Sequence, residues 1–98
     1  MAIKEKLILN QTIVQQPGNL VSDMDGEKVM LNIQNGKYYN LGEVGGFIWE
    51  LIAQPTGINS LILSIIENYE VNPSECEKEV ISFCTELYLE GLIEVINN

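Results

Sequence analysis

The sequence predicts a small α+β domain of winged helix-turn-helix type: a three-stranded antiparallel β-meander followed by three α-helices. Two observations predict it. Asp25-Gly26 and Asn35-Gly36 each lie between short apolar runs. Such pairs are the strongest local signal for two-residue hairpin turns, because both turn residues need φ > 0. After Leu41, apolar residues recur at helical spacing in three stretches, interrupted at Pro55 and again before Pro73.

Lys6 to Gln15 alternates weakly and reads as a strand or an extended arm, ended by Pro17-Gly18. Leu20 to Met24 and Glu27 to Gln34 form the first hairpin. With Asp25-Gly26 as its two turn residues, Asp23 faces Lys28 in a favourable cross-strand charge pair. The same reasoning at Asn35-Gly36 sets Ile33 opposite Tyr38, Leu31 opposite Asn40 and Met30 opposite Leu41. Apolar residues then fall on both faces of the sheet, so alternation leaves open which face meets the helices. The third strand, Lys37 to Leu41, has no evident outer partner. It reads as a free edge able to accept another chain by strand addition.

The first helix is predicted from Glu43 to Gln54, with Val44, Phe47, Ile48, Leu51 and Ile52 on its apolar face and Pro55 as its stop. Gly45-Gly46 costs such a helix about 1 kcal/mol per glycine relative to alanine, which implies close backbone packing or a strained entry. The second helix spans Asn59 to Tyr69. The third is the best marked: Asn72 as N-cap, Pro73 at the first helical position, Glu75 at capping-box spacing, and Gly91 as a left-handed stop. Its core stripe is Cys76, Val80, Phe83, Cys84 and Leu87. Leu92 to Ile96 reads as a final strand or extended segment. The whole is a single domain over 1–98, with a core from about 18 to 96.

Composition narrows the function. Apolar residues are 46% of the 98, enough for one core without metal or disulfide support. Fourteen acids against five scattered lysines give a net charge of −9. That disfavours nucleic acid and anionic membranes, both of which need clustered cations. There is no histidine, so the commonest general base and metal ligand is missing. Cys76 and Cys84, eight residues apart on one helix, are separated by about 12 Å, beyond the roughly 7 Å a disulfide spans. They read as buried thiols in a reducing cytoplasm. With no secretory apolar core in Met1 to Asn10, a soluble cytoplasmic protein without cofactor or metal is expected.

Several residues invite a chemical reading. Asn59-Ser60-Leu61 echoes the serine that carries phosphopantetheine in acyl or peptidyl carrier proteins. Those carriers are all-helical, and the two hairpins contradict them, so Ser60 reads as a helix-start polar residue. Glu75, Glu77, Glu79, Glu86 and Glu90 lack calcium-loop spacing and read as a solvated face. Trp49 lies off the main apolar stripe, as a core-edge residue or part of a partner surface. Of Tyr38 and Tyr39, one packs inward and the other is free to flank an incoming peptide. Ile81 and Tyr88 either pack on the sheet or form a groove wall beside the core stripe. Glu79 falls on the opposite side of that helix.

Asp25-Gly26-Glu27-Lys28-Val29-Met30-Leu31-Asn32, Gly36-Lys37-Tyr38-Tyr39-Asn40-Leu41, Ile48-Trp49 and the Pro55 break resemble PqqD-like proteins. The Tyr69-Glu70-Val71 link and the closing Glu86-Leu87 to Gly91-Leu92-Ile93 agree. These proteins are recognition elements for leader peptides of ribosomally synthesised, post-translationally modified peptides (RiPPs). Within the superfamily, the pattern looks most like the stand-alone leader-binding proteins of lasso-peptide clusters.

The resemblance implies a non-catalytic adaptor. A precursor's leader would add as an antiparallel strand beside Lys37, Tyr38, Tyr39, Asn40 and Leu41. Its side chains would pack on a helical wall of Glu77, Ile81, Cys84, Thr85 and Tyr88. The bound leader would then reach a separate cysteine leader peptidase and a macrolactam-forming cyclase. The alternatives are a carrier protein modified at Ser60 and a winged-helix regulatory protein.

Overall fold

The computed structural model describes residues 7–97. Its elements are β1 (Thr12–Gln15), β2 (Asn19–Met24), β3 (Glu27–Asn32), β4 (Tyr38–Leu41), α1 (Gly42–Leu51), β5 (Thr56–Gly57), α2 (Ile58–Asn68), α3 (Pro73–Leu89) and β6 (Ile93–Asn97). The predicted meander is the antiparallel sheet β2-β3-β4. The three predicted helices follow it, and every boundary of α1 and α2 lies within three residues of expectation.

At the first hairpin, Asp25 (φ 56°) and Gly26 (φ 86°) both adopt positive φ, as a type I′ turn requires. Asp23 pairs with Lys28 as predicted, with Nζ 2.7 Å from Oδ1. The second hairpin departs from prediction. Leu31 faces Tyr38 rather than Asn40, Met30 faces Tyr39 rather than Leu41, and Ile33 lies in the loop. The reason is Asn32. Its backbone N–H donates to the Lys37 carbonyl (3.0 Å), and its own carbonyl accepts from Gly36 N–H (2.8 Å). Its side-chain oxygen accepts from Asn35 N–H (2.8 Å), so the loop comprises residues 33–36. A two-residue shift keeps every side chain on its original face.

The structure settles which face meets the helices. Met30 is fully buried and Tyr39 lies beside it, turned inward, whereas Leu20 and Tyr38 on the other face are exposed. α1 packs against β3 so closely that a Cβ on Gly46 would sit 2.8 Å from Lys28 Cγ, and one on Gly45 would sit 3.0 Å from Phe83 Cζ. The glycine pair therefore marks close packing against a strand on one side and α3 on the other. Trp49 is buried in the core rather than on a partner surface.

A second sheet, β5-β1-β6, was not anticipated as a unit. The N-terminal stretch is a strand over Thr12–Gln15 (Lys6, where the predicted segment begins, lies outside the described residues), and it pairs antiparallel with the C-terminal β6. Leu7 and Ile13 join the core, extending it N-terminal to residue 18. α3 is bounded as read. Asn72 Oδ1 accepts from Glu75 N–H (3.1 Å). At the other end, Leu92 N–H donates to the Leu87 carbonyl (2.9 Å) and Gly91 N–H to that of Tyr88 (3.1 Å), a Schellman stop with Gly91 at φ 78°. Cys76 and Cys84 are buried free thiols. Among the described residues, no helix is long and apolar enough to cross a membrane.

Candidate functional site

β4 is an edge strand of its sheet. The bond from Asn32 N–H to the Lys37 carbonyl identifies that pair as hydrogen-bonded. Bonded and non-bonded pairs alternate along an antiparallel ladder, so Tyr39 bonds to Met30 while Tyr38 and Asn40 turn their N–H and C=O groups outward. Lys37 N–H is already taken by Asn35 Oδ1 (2.8 Å), and Gly42 N–H by Asn40 Oδ1 (3.0 Å). The edge open to another chain is therefore short, with outward donors at Tyr38 and Asn40.

Beside this edge runs a groove of about 560 Å³ between Lys37–Leu41 and the α3 side chains Phe83, Glu86, Leu87 and Glu90. At Leu41 and Phe83 it meets a second hollow of about 370 Å³, reaching under Val44 and Gly45 to Val71, with Glu75 and Glu79 on its lining. Gly45 is what lets the Phe83 ring lie against α1 here. The far end is held by a clasp. Tyr39 hydroxyl donates to Glu90 Oε1 (2.8 Å) and accepts from Asn35 Nδ2 (3.0 Å). Lys37 Nζ lies 3.6 Å from the same carboxylate oxygen. The tyrosine hydroxyl foremost, then the lysine charge, hold the Glu90 carboxyl below the usual carboxylate range.

All five predicted strand residues, Lys37 to Leu41, line the groove. The five predicted helix residues do not. Cys84 is fully buried in the core, and burial pushes its thiol up to about 12. Thr85 Oγ1 accepts from Leu7 N–H (3.2 Å), so its flank is covered by the N-terminal segment. Ile81 and Tyr88 lie half-buried on that flank against the core, with Glu77 exposed beside them. The reason is rotational. The stripe Cys76-Val80-Cys84-Leu87 points inward and leaves two flanks, and β4 meets the one carrying Glu79, Phe83, Glu86 and Glu90. Ile81 and Tyr88 belong to the other, more apolar flank, which does not face β4. Glu79, expected to face away, lines the hollow. Spacings of four, three and four put Glu79, Phe83, Glu86 and Glu90 on one face, but the opposite flank repeats just as regularly, so no sequence signal marked which one meets β4.

The fold has known counterparts. A search of curated proteins found no match. Among solved structures, "TbiB1 in Complex with the TbiA(beta) Leader Peptide" is similar at 25% identity with a TM-score of 0.74, over 87% of this chain and 99% of that one. "Lasso peptide synthetase B1 complexed with the leader peptide" is similar in fold, at 20% identity and a TM-score of 0.71, over 84% of this chain and 96% of that one. The family profile for coenzyme PQQ synthesis protein D (PqqD) matches residues 27–93, from β3 through the start of β6. By that match over most of its length, the chain belongs to the PqqD family.

Proposed function

We propose that this chain is a non-catalytic recognition element that binds the leader peptide of a ribosomally synthesised precursor in lasso-type RiPP biosynthesis. The observation that carries the reading is the open β4 edge beside an apolar groove. It occurs in a chain of the PqqD family that is similar, at 25% identity, to a protein solved with a leader peptide. Strand addition uses the main chain for affinity and flanking pockets for specificity. Here Tyr38 and Asn40 supply the backbone groups, and Leu41 and Phe83 the apolar seat.

The groove also gives the peptide a direction. Leu41 lies near Glu79 and Phe83, while Tyr39 reaches Glu90, so α3 runs opposite to β4. An antiparallel leader would therefore run along α3, entering beside Leu41 and leaving beside Lys37. Its C-terminal side, where the product segment begins, emerges near the Glu90 clasp. From there it passes to a separate cysteine leader peptidase and a macrolactam-forming cyclase in the cytoplasm. The chain itself supplies no histidine, and its two thiols are buried. A carrier role at Ser60 has no such support, since the residue is simply exposed near the start of α2.

Titration with the synthetic leader of its cognate precursor, followed by amide NMR, tests the proposal. Micromolar or tighter binding is expected, about −8 kcal/mol or better after the cost of ordering the peptide. Shifts should concentrate at residues 38–41 and 83–90. No binding at protein concentrations well above micromolar, or shifts confined to other surfaces, refutes it.

A further inference from the structure

Among the described residues, three of the four carboxylates on the groove flank of α3 have no ion-pair partner. Among the described residues the ion pairs are Lys28 with Asp23 and Glu50, and Lys37 with Glu90. Glu75, Glu79 and Glu86 are exposed and pair with no cation among the described residues. Glu75 and Glu79 stand four residues apart on one helix face, as do Glu86 and Glu90, an arrangement of like charges that disfavours the helix. The one lysine lining the groove is engaged by Glu90. The apolar seat at Leu41 and Phe83 thus lies between uncompensated carboxylates, on a chain of net charge −9.

Resting on the leader-binding reading above, we propose that the groove selects peptide segments with lysine or arginine flanking an apolar anchor, read by Glu79 and Glu86. The spacing follows from geometry. Side chains on one face of a strand recur every second residue, about 6.6 Å. On α3, Glu79 precedes Phe83 by about 6 Å and Glu86 follows it by about 4.5 Å, at 1.5 Å per residue. With the anchor on Phe83, the peptide positions two before and two after it face Glu79 and Glu86. The recognised pattern is basic-x-apolar-x-basic. Acidic residues at those positions are rejected by like charge, so the stripe discriminates as well as attracts.

The test is a displayed library of random dodecapeptides, panned against the full chain at low ionic strength. Binding of the selected peptides is then measured on the parent, Glu79→Gln, Glu86→Gln and Asn40→Pro. Both glutamine changes are isosteric at exposed sites, and circular dichroism checks the proline variant. The proposal expects enrichment of the basic-x-apolar-x-basic pattern, loss of binding in Asn40→Pro, and a loss of about two- to five-fold for each glutamine variant that disappears at high salt. Peptides that need the Asn40 edge yet lack basic residues, or that bind both glutamine variants like the parent, overturn the charge selection while leaving strand addition standing. Peptides indifferent to Asn40→Pro in a folded variant overturn both.

Discussion

Replacing Asn40 by proline separates the outer from the inner hydrogen-bonding side of β4. Asn40 N–H points away from the sheet, so proline there removes no ladder bond. Its folded-state cost is the side-chain bond to Gly42 N–H (3.0 Å, exposed), about 0.5–1 kcal/mol, or a Tm fall of roughly 2–8 °C. Asn40→Ala carries the same cost and is the control. Leader binding should respond differently. Proline deletes one intermolecular bond, about 0.5–1.5 kcal/mol, and strands a peptide carbonyl at an apolar groove, about 1–3 kcal/mol. The combined loss of about 1.5–4.5 kcal/mol is more than ten-fold in Kd, against little change for Asn40→Ala. Tyr39→Pro inverts the pattern, because Tyr39 bonds inward to Met30 and its hydroxyl holds Glu90; it should lose stability first. Calorimetric titration with the leader, beside thermal melts of all three variants, makes the comparison. If Asn40→Pro and Asn40→Ala bind equally well, the leader does not pair with this edge.

Two further outcomes follow from the same geometry. Ile81→Glu and Tyr88→Glu place charge on the half-buried flank behind Thr85, so each should cost about 1–3 kcal/mol of stability while the folded fraction binds leader like the parent. Phe83→Glu should weaken binding at least ten-fold; leader titrations that rank these variants the other way restore the opposite flank as the site. Glu90 is stabilised as a carboxylate by Tyr39 and then Lys37, so its contribution to holding β4 on α3 is present above the ordinary carboxylate range and is lost as pH falls through its lowered midpoint. In an NMR titration, Tyr39→Phe should move that midpoint back up, and an unmoved midpoint refutes the clasp.

What the sequence determined by itself is local. Asp25-Gly26 specified its turn because two consecutive positive φ values admit few residue pairs, and the Asp23–Lys28 pairing followed from it. Asn72, Pro73 and Gly91 bounded α3 because each meets a need of the helix end itself. The free strand was legible for the same reason: a meander read in order has a last member. Asn35-Gly36 misled because the turn was decided by Asn32, three residues earlier, whose carbonyl and side chain both closed on the loop.

Tertiary structure alone decided the rest. β1 and β6 stand at opposite ends of the chain, and strands of four and five residues carry no record of so distant a partner. The helical wall of the groove is the clearest case. A helix with a buried stripe has two flanks equally adjacent to it, and sequence periodicity does not distinguish them. Docking did, when Gly45 admitted the Phe83 ring and Tyr39 reached Glu90, turning the flank of Phe83, Glu86 and Glu90 toward the open strand while Leu7 closed over Thr85.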